Sequence, residues 1–127
     1  MEFRTGIDIL EIKRIEKSLS NPRFLTRLFG VSEVDQYIRA GSRPSFLAGN
    51  FCAKEAFSKT LGTGIRGFAL NEVEILRDAL GKPYFVFSGK AKDLVEAKNM
   101  RFDVSISHDG GMAVASVVAW TEGRENI

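Results

Sequence analysis

The stretch from Pro44 to Leu61 constrains this chain more than any other. A proline that needs no amide partner opens it and Gly62 stops it, which marks one long helix. Phe51, Ala53, Ala56 and Phe57 make its middle apolar, and Cys52 is expected in the core beside them. The remaining elements must therefore pack around this helix. Before it, Phe3, Thr5, Ile7 and Ile9 alternate with Arg4, Gly6, Asp8 and Leu10, the period expected of a strand with one buried face. Ile12, Ile15 and Leu19 then recur at helical spacing and leave Lys13, Arg14 and Lys17 outside. Asn21-Pro22 predicts a second helix carrying Phe24, Leu25, Leu28 and Phe29, with Gly30 as its stop. Ser32 with Asp35 predicts a third.

After the long helix, Gly62-Thr63-Gly64-Ile65-Arg66-Gly67 is expected to be a loop. Glu72–Leu76 and Tyr84–Phe87 read as strands around a turn, and Ser88 as the cap of a short helix through Val95. Asp103–Ser107 and Met112–Trp120 read as the last strands, a hairpin closed at Asp109-Gly110-Gly111. Helices gathered early and strands late predict an α+β domain with an antiparallel sheet packed against helices, one domain over residues 1–127.

Composition removes several function classes. One cysteine excludes an internal disulfide framework and a multi-cysteine zinc site, and one histidine excludes a multi-histidine metal site. Thirteen aromatics, ten of them Phe, supply a core, and the Phe side chains are expected to be buried. The apolar runs are too short to span a bilayer, and with a strand expected so early no signal peptide is expected. A cytoplasmic protein is expected. Residues 1–66 hold eleven Lys/Arg against seven Asp/Glu, whereas residues 67–127 hold seven against nine. A basic early half points to an anionic partner.

Two acids stand out. Taken singly, Asp8 is explained by a strand end facing water or paired with Arg4, and Glu55 by an i,i+4 pair with Lys59. Taken together they offer the two carboxylates with which Mg²⁺ is commonly held beside substrate phosphates. The glycines after the long helix would let a backbone approach a phosphate, although their spacing is neither a P-loop nor a dinucleotide fingerprint. Ser105 and Ser107 lack the partners of a hydrolase triad.

Three segments match one family in order and spacing. Gly6-Ile7-Asp8-Ile9-Leu10-Glu11-Ile12-Lys13-Arg14-Ile15 resembles the N-terminal motif of the holo-acyl-carrier-protein synthases. Phe51-Cys52-Ala53-Lys54-Glu55-Ala56-Phe57-Ser58-Lys59 resembles their Lys-Glu-Ala-x-x-Lys helix, and Val104-Ser105-Ile106-Ser107-His108-Asp109 their Ser-x-Ser-His strand. Gly62-Thr63-Gly64 and Gly81-Lys82-Pro83 extend the likeness over nearly the whole chain.

The resemblance implies a 4′-phosphopantetheinyl transferase fold in a single copy. It implies transfer of 4′-phosphopantetheine from coenzyme A to a serine of apo-acyl carrier protein, releasing adenosine 3′,5′-bisphosphate. Longer members carry two copies and a second acid two residues after the first motif aspartate. Leu10 stands at that place here, which favours the short type, a homotrimer with active sites between subunits. Asp8 and Glu55 would hold Mg²⁺, Glu55 would help remove the serine proton, and Lys59 would steady or protonate the departing phosphate. His108, Lys59 and the loop Gly62-Thr63-Gly64 would line the coenzyme A site, Arg43 would meet its 3′-phosphate, and Arg14, Arg23 and Arg27 would hold the carrier protein. Asn50 departs from the basic residue often found there, removing one expected phosphate contact. The competing readings are a small anion- or RNA-binding module without catalysis, and a transferase serving peptidyl or polyketide carrier domains.

Overall fold

A computed structural model describes residues 2–122. The elements run β1 (Phe3–Glu11), α1 (Ile12–Ser18), α2 (Phe24–Leu28), α3 (Val31–Arg39), α4 (Pro44–Leu61), β2 (Val73–Arg77), β3 (Pro83–Phe87), α5 (Gly89–Ala97), β4 (Met100–Asp109) and β5 (Met112–Thr121). One antiparallel sheet has the order β1-β5-β4, and β2 and β3 form a separate two-stranded ribbon. This is the expected α+β arrangement. Gly110 and Gly111, both at positive φ, turn β4 into β5 with Asp109 opposite Met112, the geometry that a two-residue hairpin loop demands.

The long helix α4 keeps the predicted bounds because its ends are chemically marked. Pro44 occupies its first turn, and Gly62 ends it in the left-handed region at φ 76°. Ala48, Cys52, Ala53 and Ala56 are buried against Leu10, Ala113, Ala115 and Val117 of the three-stranded sheet. These small residues let helix and sheet approach closely. Gly6 allows the closest contact of all, for a Cβ there would lie 2.0 Å from the Ala56 carbonyl oxygen. Farther along α4, Phe57 is fully buried, with its ring centroid 5.0 to 5.7 Å from those of Phe68, Phe85, Phe87 and Phe102.

Local readings differ from the structure chiefly at helix caps and on the face of β1, and Arg23 and Gly30, not Asn21 and Ser32, are the N-caps of α2 and α3. Gly30 does not stop α2; it is the N-cap of α3, where Glu33 reaches back to accept its amide N–H at 3.0 Å. Ser88 precedes α5 but makes no capping bond, and the Glu72 carboxylate accepts the Ala91 N–H instead. The buried face of β1 is the one bearing Gly6 and Leu10, whereas Phe3, Ile7 and Ile9 are 61 to 65% exposed. Phe3 is thus an exception to the expectation that the phenylalanines are buried.

Candidate active site

The close contact at Gly6 sets the site's geometry. Asp8, two residues on, projects from the same face of β1 toward α4. Glu55 and Lys59 lie one turn apart on that helix. Lys59 Nζ donates to the Ile7 carbonyl oxygen at 2.7 Å and to Asp8 Oδ1 at 3.4 Å, bridging positions 51 residues apart in sequence. Asp8 and Glu55 then line one cleft of about 290 Å³ with Arg14, Phe51 and Ser18.

This geometry disposes of the simpler explanations for both acids. Arg4 pairs with Glu2 at 2.6 Å rather than with Asp8. Lys59 pairs with Asp8 rather than with Glu55, whose carboxylate has no hydrogen bond or ion pair among the described residues. Burial and the like charge of Asp8 hold the Glu55 carboxyl above its ordinary range, and Lys59 only partly offsets them. Burial and the same aspartate push the Cys52 thiol up to about 12, so this cysteine is no nucleophile. Cys52 Sγ donates to the Ala113 carbonyl oxygen at 3.4 Å, as befits a core residue.

The other singled-out residues divide by location. Gly62, Thr63 and Gly64 form an exposed loop immediately after Lys59 and α4. Arg43, the N-cap of α4, and His108, near the end of β4, line a second cleft of about 260 Å³. This cleft shares no lining residue with the carboxylate cleft. Arg23 and Arg27 are exposed and one helical turn apart, the Arg27 N–H bonding to the Arg23 carbonyl oxygen at 3.1 Å. Arg14 is exposed at the rim of the carboxylate cleft. Among the described residues, no three His, Cys, Asp or Glu side chains form a metal cage, and no helix is long and apolar enough to cross a membrane.

Sequence reasoning missed a buried charge network beside the site. Lys54 and Glu33 are fully buried and 2.7 Å apart. Glu33 also accepts from the Asn50 side chain and the Ile75 amide, at 3.0 and 3.1 Å. Asn50 donates as well to the Ile75 carbonyl oxygen at 3.0 Å. It is a core residue joining α4 to β2, not a group facing solvent. No pattern of spacing reveals such a pair, because Glu33 and Lys54 lie on different helices.

The three comparisons agree with this architecture. Residues 4–109 match the family model of the 4′-phosphopantetheinyl transferase superfamily. The chain belongs to that superfamily, in its holo-[acyl-carrier-protein] synthase family. A holo-[acyl-carrier-protein] synthase of Clostridium perfringens is 45% identical over 128 aligned positions, covering 96% of each chain. The crystal structure of the Neisseria meningitidis synthase is 34% identical with a TM-score of 0.86, covering 93% of this chain and 98% of that one. The Bacillus anthracis synthase in complex with coenzyme A (3′,5′-ADP) is 37% identical with a TM-score of 0.78, covering 94% of this chain and 96% of that one. The chain is thus an enzyme of the phosphopantetheinyl transferase class.

Proposed function

We propose that this protein transfers 4′-phosphopantetheine from coenzyme A to a serine of apo-acyl carrier protein, in the service of fatty acid synthesis. The observation that carries the reading is the convergence of Asp8 and Glu55 on one cleft, with Lys59 bound to the aspartate. The names of the relatives, and the coenzyme A in the Bacillus anthracis complex, support the substrates.

Asp8 and Glu55 fit a magnesium ion. Both offer hard oxygen donors, and the Glu55 carboxylate is uncommitted among the described residues. Two carboxylates leave the remaining coordination positions for phosphate and water. Bound there, the ion would supply positive charge against the donor's pyrophosphate. Glu55 helps remove the proton from the serine hydroxyl. The serine oxygen bonds to the phosphorus bearing pantetheine, and the phosphorus–oxygen bond to the nucleotide phosphate breaks. Lys59 donates a hydrogen bond or its proton to that departing phosphate, releasing adenosine 3′,5′-bisphosphate. The Lys59 side chain is 56% exposed, which leaves it room to turn from Asp8 to the phosphate.

Coenzyme A would reach from the Lys59 side and the loop Gly62-Thr63-Gly64 to a cleft holding His108, with Arg43 near its 3′-phosphate. One chain keeps the two clefts separate, whereas a neighbouring copy can bring them together. The exposed sheet face, with Phe3, Ile7 and Ile9 on β1 and Val118 on β5, offers the surface for such a homotrimer. Arg14, Arg23 and Arg27 would hold an acidic helix of the carrier protein.

Intact-mass analysis of apo-acyl carrier protein with coenzyme A, Mg²⁺ and this protein tests the reading. A gain of one phosphopantetheine is expected, and an unchanged mass overturns it. Light scattering on active protein should give three times 14.1 kDa, and full activity from a monomer would remove the intersubunit site.

A further inference from the structure

Arg77, at the end of β2, has no role in the reading above, and its surroundings are unusual. The side chain lies over the Phe46 ring at 4.7 Å, and its Nη1 is buried without a hydrogen-bond partner. Among the described residues no carboxylate forms an ion pair with it. Glu33, the acid whose charge acts on it, is already committed: Oε1 accepts from the Gly30 N–H and Lys54, and Oε2 from Asn50 and the Ile75 N–H. Those four bonds fill the capacity of a carboxylate. The Arg77 backbone is meanwhile held on both sides by Gln36, at 2.8 and 3.0 Å, so the guanidinium cannot readily withdraw.

A half-buried guanidinium without a counter-charge is costly unless an anion completes it. Arg77 lines the cleft shared by Arg43 and His108, and no Asp or Glu lines it. Phe46, Pro83 and Ile106 supply apolar walls beside the three basic side chains. Such a lining fits a phosphate monoester joined to a flat, partly apolar group. We propose that Arg77 is a specificity-determining ligand for the 3′-phosphate of the donor, setting the preference for coenzyme A over its 3′-dephospho form. The assignment rests on the function proposed above. It adds a forked donor on β2 to the Arg43 and His108 contacts, gripping the phosphate from the ribbon side of the cleft.

The test uses full-length protein with coenzyme A and 3′-dephospho-coenzyme A, which differ only in that phosphate. For Arg77→Met, which keeps the packing on Phe46, KM for coenzyme A should rise about 10- to 100-fold, the worth of one or two charged hydrogen bonds. KM for the dephospho donor should change less than about twofold. Arg77→Lys should fall between, retaining charge but not the fork. In the absence of nucleotide, Arg77→Met should melt no lower than wild type, because an uncompensated buried charge has been removed. A merely structural arginine would behave oppositely: melting would fall and both KM values would move together, which overturns the assignment. Calorimetric titration with adenosine 3′-monophosphate separates this proposal from the reaction itself. Binding by wild type and not by Arg77→Met upholds the anion site even if no transfer is found, and equal binding overturns it even if transfer occurs.

Discussion

Lys54 and Glu55 are adjacent in sequence and opposite in circumstance. The Lys54 ammonium, fully buried, donates to Glu33 and to the Leu70 and Val73 carbonyl oxygens, which uses all three of its hydrogens. Glu55, one position on, shares a cleft with a like charge and accepts no hydrogen bond among the described residues. Both belong to the motif that identifies the family, yet only one has chemistry left to offer. A saturated buried charge fastens elements together, here α3, α4 and β2. An unsaturated one keeps its oxygens available, and under the proposed function a magnesium ion takes them.

That contrast can be broken most severely at Lys54. Lys54→Met leaves the Glu33 carboxylate buried without its counter-charge and should cost about 3–5 kcal/mol, a large share of ordinary domain stability. Urea unfolding reads it directly. The double variant Glu33→Gln/Lys54→Met should recover most of the loss, and a single-variant loss below about 1 kcal/mol would put Lys54 in the class of Glu55.

On the other side, Asp8→Ala or Glu55→Ala should lower transfer by a factor on the order of 10²–10⁴ with the fold intact. Single-turnover mass assays at limiting Mg²⁺, beside circular dichroism, check both halves. Near-normal turnover in both variants would end the two-carboxylate site. The raised affinity of Glu55 for protons has a signed consequence for stability. Its folded value lies above the ordinary 4.5, so the metal-free protein loses stability as pH rises from about that value through the folded one. Glu55→Gln should lack this decline, which thermal melts in a chelator across pH 4 to 7 will show or refute.

The exposed arginines proposed to hold the carrier protein occupy a middle position. Arg14→Glu or Arg23→Glu should raise KM for acyl carrier protein by about tenfold and that for coenzyme A little, with added salt imitating the change in wild type. If the coenzyme A constant moves instead, the basic face serves the nucleotide. Smallest of all is the pair between Lys82 and Asp103, 2.8 Å apart with both side chains more than half exposed. Lys82→Ala should cost no more than about 1 kcal/mol by the same urea measurement, since solvent screens such pairs. A larger loss would show that exposure is a poor divider of these charges.

The legible parts of the fold were those whose chemistry is local. Pro44 and Gly62 bound α4 because each acts through its own backbone, and the glycine pair at 110–111 names its hairpin for the same reason. Gly30 is ambiguous in sequence because a glycine between two short helices can stop one or start the next, and a distant partner decides. That partner is Glu74, which accepts the Glu33 N–H at 3.0 Å from 41 residues away. The buried face of β1 was hidden similarly, since small residues rather than large ones face α4. Within the site, Asp8, Glu55 and Lys59 could be picked out by residue type and resemblance. That Lys59 would choose Asp8 over the nearer Glu55 could not, because the choice depends on how β1 lies across the helix.

That crossing gives position 6 a burden unrelated to any reaction. The absent side chain of Gly6 works as a spacer: even one methyl group would drive β1 from α4 and carry Asp8 with it. The path of sequence change through this position is therefore closed, although it offers no charge and no donor side chain. Sequence drift meets this limit whatever happens elsewhere on the surface. It cannot widen this gap without altering the separation of the two acids, so the tolerance of the chemistry is written into a residue that takes no part in it.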